Sequence, residues 1–368
     1  MAEEDIDAGA APEELEDEIA IDPDPVGISY STTDFDVDGL VRRMQRDDIV
    51  IPTFGEDLDD PPIETARFQR PLVWTRNQMD RFIESLLLGY PIPGIFLVKQ
   101  LDNRYLVLDG QQRLRTLRAF TEGLAFKREF SLKNVADRFK GLTYKNMPLE
   151  LKRQLENTFI QATIVQSSTA AGTLDAIYQV FERLNAGGTQ LTPHEIRIAL
   201  YAGPFVEWLT QLSRSPEWRG LYGPAPRHLR DQELVLRILA LTVDPESYKR
   251  PLKKYLNDFV LEHRELAKLD TQEMESRFLG AASILSGAEG MTALRPAGSA
   301  VNAAWTEAVF VGLMERLKSG SVQTAAVRET LQSLRKDADL IEATARATAD
   351  LDSVQTRMRV AIAAFAGI

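Results

Sequence analysis

The chain has 368 residues, 44% of them apolar, which is enough for two substantial cores; it has no cysteine, which excludes disulfides, thiolate zinc sites and a cysteine nucleophile. Its formal net charge of −11 is concentrated at one end: residues 1–25 hold 11 acidic residues and no Lys or Arg, leaving 43 acids and 43 bases in the rest. Residues 61–160 carry 17 basic against 10 acidic residues, so the overall charge does not exclude a phosphate-bearing ligand.

Along the chain, the acidic segment 1–25 is expected to be a disordered solubilising arm, with a nucleic-acid mimic that competes for the basic region as the alternative. No signal peptide is recognisable, and a cytoplasmic location is the default expectation. DDIVIPT (47–53) suggests a short strand. TRNQMDRFIESLLLG (75–89) places Met79, Phe82, Ile83, Leu86 and Leu87 on one helical face, with Thr75 and Gln78 as a capping box and Gly89 and Pro91 as a stop. The most apolar stretch, FIESLLLGYPIPGIFLV (82–98), is too short and too interrupted by Glu84 and two prolines to span a bilayer, so no membrane partner is expected.

IFLVK (95–99) and YLVL (105–108) form a candidate hairpin. The second run ends in Asp109, Gly110, Gln111, Gln112 and Arg113 and restarts as a helix with Leu114, Leu117, Phe120 and Leu124 on its apolar face and Gly123 near its end. FIQATIVQ (159–166) is a further strand, and residues 174–184 a helix burying Leu174, Ile177, Val180, Phe181 and Leu184. After the turn NAGGTQ, Thr192, Pro193 and Glu195 mark another capped helix, in which His194 is expected on the surface. From about residue 200 only helical periodicity follows. AWTEAVFVGLMERL (304–317), for example, has Trp305, Val309, Phe310 and Leu313 on one face, fit for an internal core or a homo-oligomer interface. The expected architecture is α+β followed by all-helical, divided as 1–25 (tail), 26–200 and 201–368.

A strand that enters a helix at a glycine presents the helix's first N–H groups, and these favour an anion. Arg113 in the first turn is disfavoured by the helix dipole, which makes an external anionic partner economical; Gln111 and Gln112 can donate to phosphate oxygens, and Asp109 can hold magnesium. Alternatively, Asp109 only caps the helix and the Gln and Arg side chains are solvated.

FQRPLVW (68–74), SLLLGYPIPGIFL (85–97), LDGQQRLRTL (108–117) and FERLNAGGTQLTPHEIR (181–197), in that order, resemble the N-terminal domain of the GmrSD family of modification-dependent restriction enzymes, within the ParB/sulfiredoxin-like superfamily. The resemblance covers roughly residues 45–260. It implies a nucleotide-binding domain over 26–200 and makes Asp109, Gln111, Gln112 and Arg113 the catalytic cluster, with Asp109 on the metal. Gln69, Arg70, Gly110, Arg183, Asn185 and Arg197 become candidate phosphate contacts. For Asn185 the conformational needs of a turn are the favoured explanation, and Glu195 is read as the reciprocal cap to Thr192 before a metal ligand or general base; Arg183 and Arg197 are the better functional candidates, with an ion pair to Glu182 or Glu195 as the alternative. Many relatives carry an HNH-type nuclease with clustered histidines. Here only His194, His228 and His263 occur, far apart, so residues 200–368 are not expected to be that nuclease.

The implied function is a magnesium-dependent nucleoside triphosphatase in a prokaryotic DNA-restriction or anti-phage defence system, with DNA and a separately encoded effector as partners. A non-hydrolysing DNA-binding adaptor is the second reading and a DNA-nicking nuclease the third.

Overall fold

A computed structural model describes residues 29–51, 74–100, 102–126, 128–166, 176–180 and 192–368. The acidic segment, Gln69, Arg70, Arg183, Asn185 and the NAGGTQ turn lie outside the described residues. The chain divides into two compact units, with Asp24–Leu191 in one and Thr192–Ile368 in the other.

The first unit is built on a mixed five-stranded sheet, ordered β1 (Tyr30–Asp36), β7 (Phe159–Gln166), β3 (Ile95–Lys99), β4 (Tyr105–Asp109), β2 (Ile49–Val50). β3 and β4 form the expected antiparallel hairpin, with Leu97 opposite Val107 and an irregularity between Phe96 and Leu97. β7 runs parallel to β3 and antiparallel to β1, and β2 is parallel to β4. The sequence reading missed β1 because YSTTDFD is an exposed edge strand with no apolar alternation.

Among the described residues, helices α1 (Val37–Gln45), α2 (Arg76–Leu87), α3 (Gln111–Glu122) and α4 (Leu149–Glu156) accompany the sheet. Asp36 caps α1 by accepting from the Gly39 N–H, and the Thr75–Gln78 capping box of α2 forms as expected. Alternate strand residues Leu97, Val107, Ile160, Ala162 and Ile164 join Leu40, Met79, Ile83, Leu114, Leu117 and Phe120 in one apolar core. Leu124 is not part of that core. Gly123, at φ 82°, ends α3 one residue earlier, and Leu124 is exposed in a small hairpin of β5 (Leu124–Ala125) and β6 (Arg128–Glu129).

A buried carboxylate fixes α2 to the loop after β6. Asp80, fully buried, accepts from the Lys133 N–H (3.2 Å), the Asn134 N–H (3.0 Å), Asn134 Nδ2 (2.9 Å) and Arg76 Nε (2.9 Å). Arg76 also donates to the Ser131 carbonyl at 2.7 Å and lies over the Phe130 ring at 3.8 Å. Four donors on one carboxylate offset its loss of hydration.

Of the helix expected at 174–184, residues 176–180 are helical with Ala176, Ile177 and Tyr178 buried. The second unit is helical: α5 (Pro193–Leu200), α6 (Pro204–Arg214), α7 (Pro216–Tyr222), α8 (Arg230–Val243), α9 (Leu252–Glu262), α10 (Thr271–Glu289), α11 (Ala303–Leu317), α12 (Thr324–Leu334), α13 (Ala338–Ala345) and α14 (Leu351–Ala366). α11 is its buried centre. Trp305, Val309, Phe310 and Leu313 are buried as expected, but so is Glu307, whose carboxylate takes Arg237 Nε and Arg357 Nη2, each at 2.5 Å.

His194 is the clearest departure from the sequence reading. It is fully buried, not solvated: Gln232 Oε1 lies 3.2 Å from its Nε2, and Arg197 Nη1 lies 3.3 Å from its Nδ1. An amide acceptor on one side and a guanidinium on the other fit a neutral ring protonated at Nε2. Burial, with the Arg197 charge, holds its pKa well below 6.5. The misreading arose because a cap-adjacent position says nothing about which later helices, α8 and α9, pack over it.

Replacing Asp80 with Ala strands two backbone N–H groups and a guanidinium, so stability should fall by about 3 kcal/mol in urea unfolding. Because native His194 rejects a proton that the unfolded chain accepts, stability should be unaffected by this group above pH about 6.5 and decline as pH falls below it. His194→Gln should flatten that acid limb in pH-dependent unfolding. An unchanged limb would show that His194 titrates alike in both states.

Candidate functional site

The five residues singled out in the sequence meet at the junction of β4 and α3. β4 delivers Asp109 at its last position, and the chain turns through Gly110 (φ 94°, ψ 9°) directly into α3. A left-handed residue is strained for any side chain other than glycine. Space forbids one as well: a Cβ here would lie 2.4 Å from Ile95 Cγ2 on the neighbouring strand. Gly110 is thus required twice, by its dihedral angles and by the close approach of β3.

Among the described residues no side chain caps α3. Asp109, one residue too early, instead reaches along the first turn to Arg113, its Oδ2 accepting from Arg113 Nη2 at 2.6 Å. Arg113 Nη1 donates to the Pro93 carbonyl at 2.5 Å. The pairing resolves the electrostatic difficulty of a cation at a helix N-terminus internally: the carboxylate of Asp109 neutralises it, so an external anion is not required for stability. The Arg113 side chain is 12% exposed and that of Asp109 45%, so the carboxylate is the accessible half of the pair.

The two amides are anchored differently. Gln111 Nε2 lies 3.5 Å from the Val107 carbonyl, a long contact, and Gln112 Oε1 accepts from the Trp74 N–H at 3.4 Å. Trp74 itself packs edge-on against Phe82 of α2, with ring centroids 5.5 Å apart. Trp74, Pro93 and Ile95 were not candidate site residues, because their contributions are a backbone N–H, a carbonyl and a methyl group. They nevertheless belong to the FQRPLVW and SLLLGYPIPGIFL stretches. Three of the four motifs that carried the family resemblance therefore converge on this one junction.

Arg197 belongs to the helical unit and is fully buried. Its Nε donates to Asn257 Oδ1 at 2.8 Å and its Nη1 faces His194, so the described partners are structural. Glu195 completes the capping box with Thr192, accepting from the Thr192 N–H at 2.7 Å, and its other oxygen lies 3.3 Å from His228 Nδ1. Among the described residues, no group of three or more His, Asp or Glu side chains is arranged to hold a metal ion. Asp109 could still share a magnesium ion with ligand phosphates, since that ion commonly takes only one or two protein carboxylates.

Gly110→Ala should lower the thermal stability clearly more than Gly123→Ala. Both impose a left-handed alanine, worth about 1–2 kcal/mol, but nothing lies within 4 Å of a Cβ at Gly123. Equal losses in the two variants would show that Ile95 yields freely.

Residues 53–202 match the family model described as GmrSD restriction endonuclease, N-terminal domain. No curated protein and no solved structure matches the chain. Among the described residues no helix is long and apolar enough to cross a membrane. The matched span contains the whole β4–α3 junction with Trp74, Pro93 and Ile95, so the junction lies inside the part of the chain that is similar to the GmrSD restriction endonuclease N-terminal domain.

Proposed function

We propose that this protein is the nucleoside triphosphate-binding and hydrolysing component of a prokaryotic DNA-restriction or anti-phage system, acting with a separately encoded effector. The observation that carries this reading is the grouping of Asp109, Gln111, Gln112 and Arg113 on the uncapped first turn of α3, immediately after Gly110. Uncapped N–H groups and the positive end of the helix dipole suit a phosphate.

In this proposal Asp109 has two successive roles. Without ligand it neutralises Arg113. With nucleotide bound, magnesium would offset the triphosphate charge, with Asp109 as its protein ligand. The freed Arg113 guanidinium then donates to a phosphate oxygen, an exchange of one anion for another within the reach of a single side chain. Gln111 or Gln112 orients a water molecule. Its oxygen forms a bond to the γ-phosphorus while the bridging oxygen departs with the β-phosphate and the water's proton passes to solvent. Such a reaction needs positioning and charge stabilisation more than covalent participation, which matches a site of amides, one arginine and one carboxylate. A DNA-nicking role finds less support, because the described residues offer no multi-carboxylate or histidine metal cluster.

Phosphate release from ATP, GTP, CTP and UTP with magnesium is the test. Arg113→Ala should lose turnover by about a hundredfold or more while unfolding close to wild type, and Arg113→Lys should recover only part of it, since a lysine lacks the fork that spans Pro93, Asp109 and phosphate. Wild-type turnover in Arg113→Ala would remove the assigned role. No turnover by the wild type with any nucleotide, with or without DNA, would leave the junction as a phosphate grip in a DNA-binding adaptor.

A further inference from the structure

We propose that residues 131–153 form a pre-shaped cationic platform for the phosphate backbone of duplex nucleic acid, separate from the β4–α3 junction. The segment SLKNVADRFKGLTYKNMPLELKR holds six Lys or Arg and two acidic residues. It is mostly loop, yet its backbone is fixed at several points. Asp80 holds the Lys133 and Asn134 N–H groups, and Glu84 Oε1 accepts from the Ala136 N–H at 2.6 Å. The Leu132 N–H donates to the Leu142 carbonyl and the Gly141 N–H to the Leu132 carbonyl, both at 2.8 Å, closing the loop on itself. Thr143 and Asn146 exchange hydrogen bonds across the next turn.

With the backbone held, the side chains sort by chemistry. Leu132, Val135, Phe139 and Met147 turn into the core, whereas Lys133, Arg138, Lys140, Lys145 and Arg153 are exposed. Lys140 is neutralised by Asp137 at 2.7 Å. Among the described residues, no acidic side chain pairs with Lys133, Lys145 or Arg153. Lys152 is held with its Nζ 4.2 Å from the centre of the Tyr144 ring, and the Tyr144 hydroxyl donates to Glu156 at 2.6 Å, which engages that carboxylate. Cations on a fixed frame lose little backbone freedom when they meet a rigid array of phosphates.

The aromatic residues decide between duplex and single strand. A single strand is gripped by rings on which its bases stack. Here Phe139 is 2% exposed and Tyr144 is covered on one face by Lys152, so the segment offers charge without a stacking surface. Such a surface reads backbone rather than base edges and confers no sequence preference by itself.

The inference rests on the reading that this protein works on DNA, but not on nucleotide turnover. The test is therefore made on the full chain without nucleotide, by fluorescence anisotropy of a labelled 20-base-pair duplex at a series of salt concentrations. The variant is Lys133→Ala/Lys145→Ala/Arg153→Ala, whose side chains are exposed, so its unfolding transition should match wild type. Expected are affinity about tenfold or more weaker at low salt and a logarithmic salt slope shallower by about one for each phosphate that the variant no longer neutralises. Nucleotide turnover measured without DNA should be unchanged in the variant, which separates failure of this surface from failure of the junction. Equal affinity and slope in variant and wild type would overturn the platform, as would a wild type that binds no duplex. Tighter binding of a single strand of the same length would overturn the duplex assignment.

Discussion

The sheet unit depends on one backbone constraint, the left-handed turn at Gly110. It joins the last hydrogen-bonded residue of β4 to the first turn of α3 with no intervening loop, and it does so beneath Ile95 of the adjacent strand. A longer connection would satisfy the dihedral angles with other residues. It would also move the helix away from the sheet, and Asp109 could no longer reach Arg113. The turn thus fixes at once the packing of Leu114 and Leu117 into the core and the clustering of the polar residues above it.

Carboxylates placed against cations recur through both units, with consequences that depend on burial. At Asp80 and Glu307 the charges are removed from water and paired with arginines; these groups fix geometry, and their worth lies in the cost of leaving a partner behind. At Asp109 the carboxylate remains nearly half exposed. Solvent reaches the carboxylate but little of Arg113, so the guanidinium needs an anion beside it, which suits a site that must exchange one anion for another.

The charge distribution gives the same separation at larger scale. The net charge of −11 belongs to residues 1–25, and the basic excess lies in the family-matched region. Within that region the cations are of two kinds. Arg76 and Arg113 are held by carboxylates and carbonyls, whereas Lys133 and Lys145 on the pinned loop and Arg153 on α4 are exposed to solvent. Local contacts, rather than the total charge, determine which cations are available to a phosphate.

Much of this was determined by sequence alone. The capping boxes at Thr75 and Thr192, the 95–99 and 105–108 hairpin, the strand at 159–166 and the helix after Gly110 follow from short-range rules: period, cap and glycine. Asp109, Gly110, Gln111, Gln112 and Arg113 were legible as one cluster because they are contiguous. Tertiary structure decided what contiguity cannot express. Arg113 finds its anion within the chain, in Asp109, and is steadied by a carbonyl from a residue twenty positions away. His194 is buried because α8 and α9 supply Gln232 and the Asn257 that holds Arg197. β1 exists because β7 offers it an edge, although its own residues carry no apolar pattern. Local propensity reaches a few residues along the chain, whereas burial and charge pairing depend on neighbours that only the folded chain brings together.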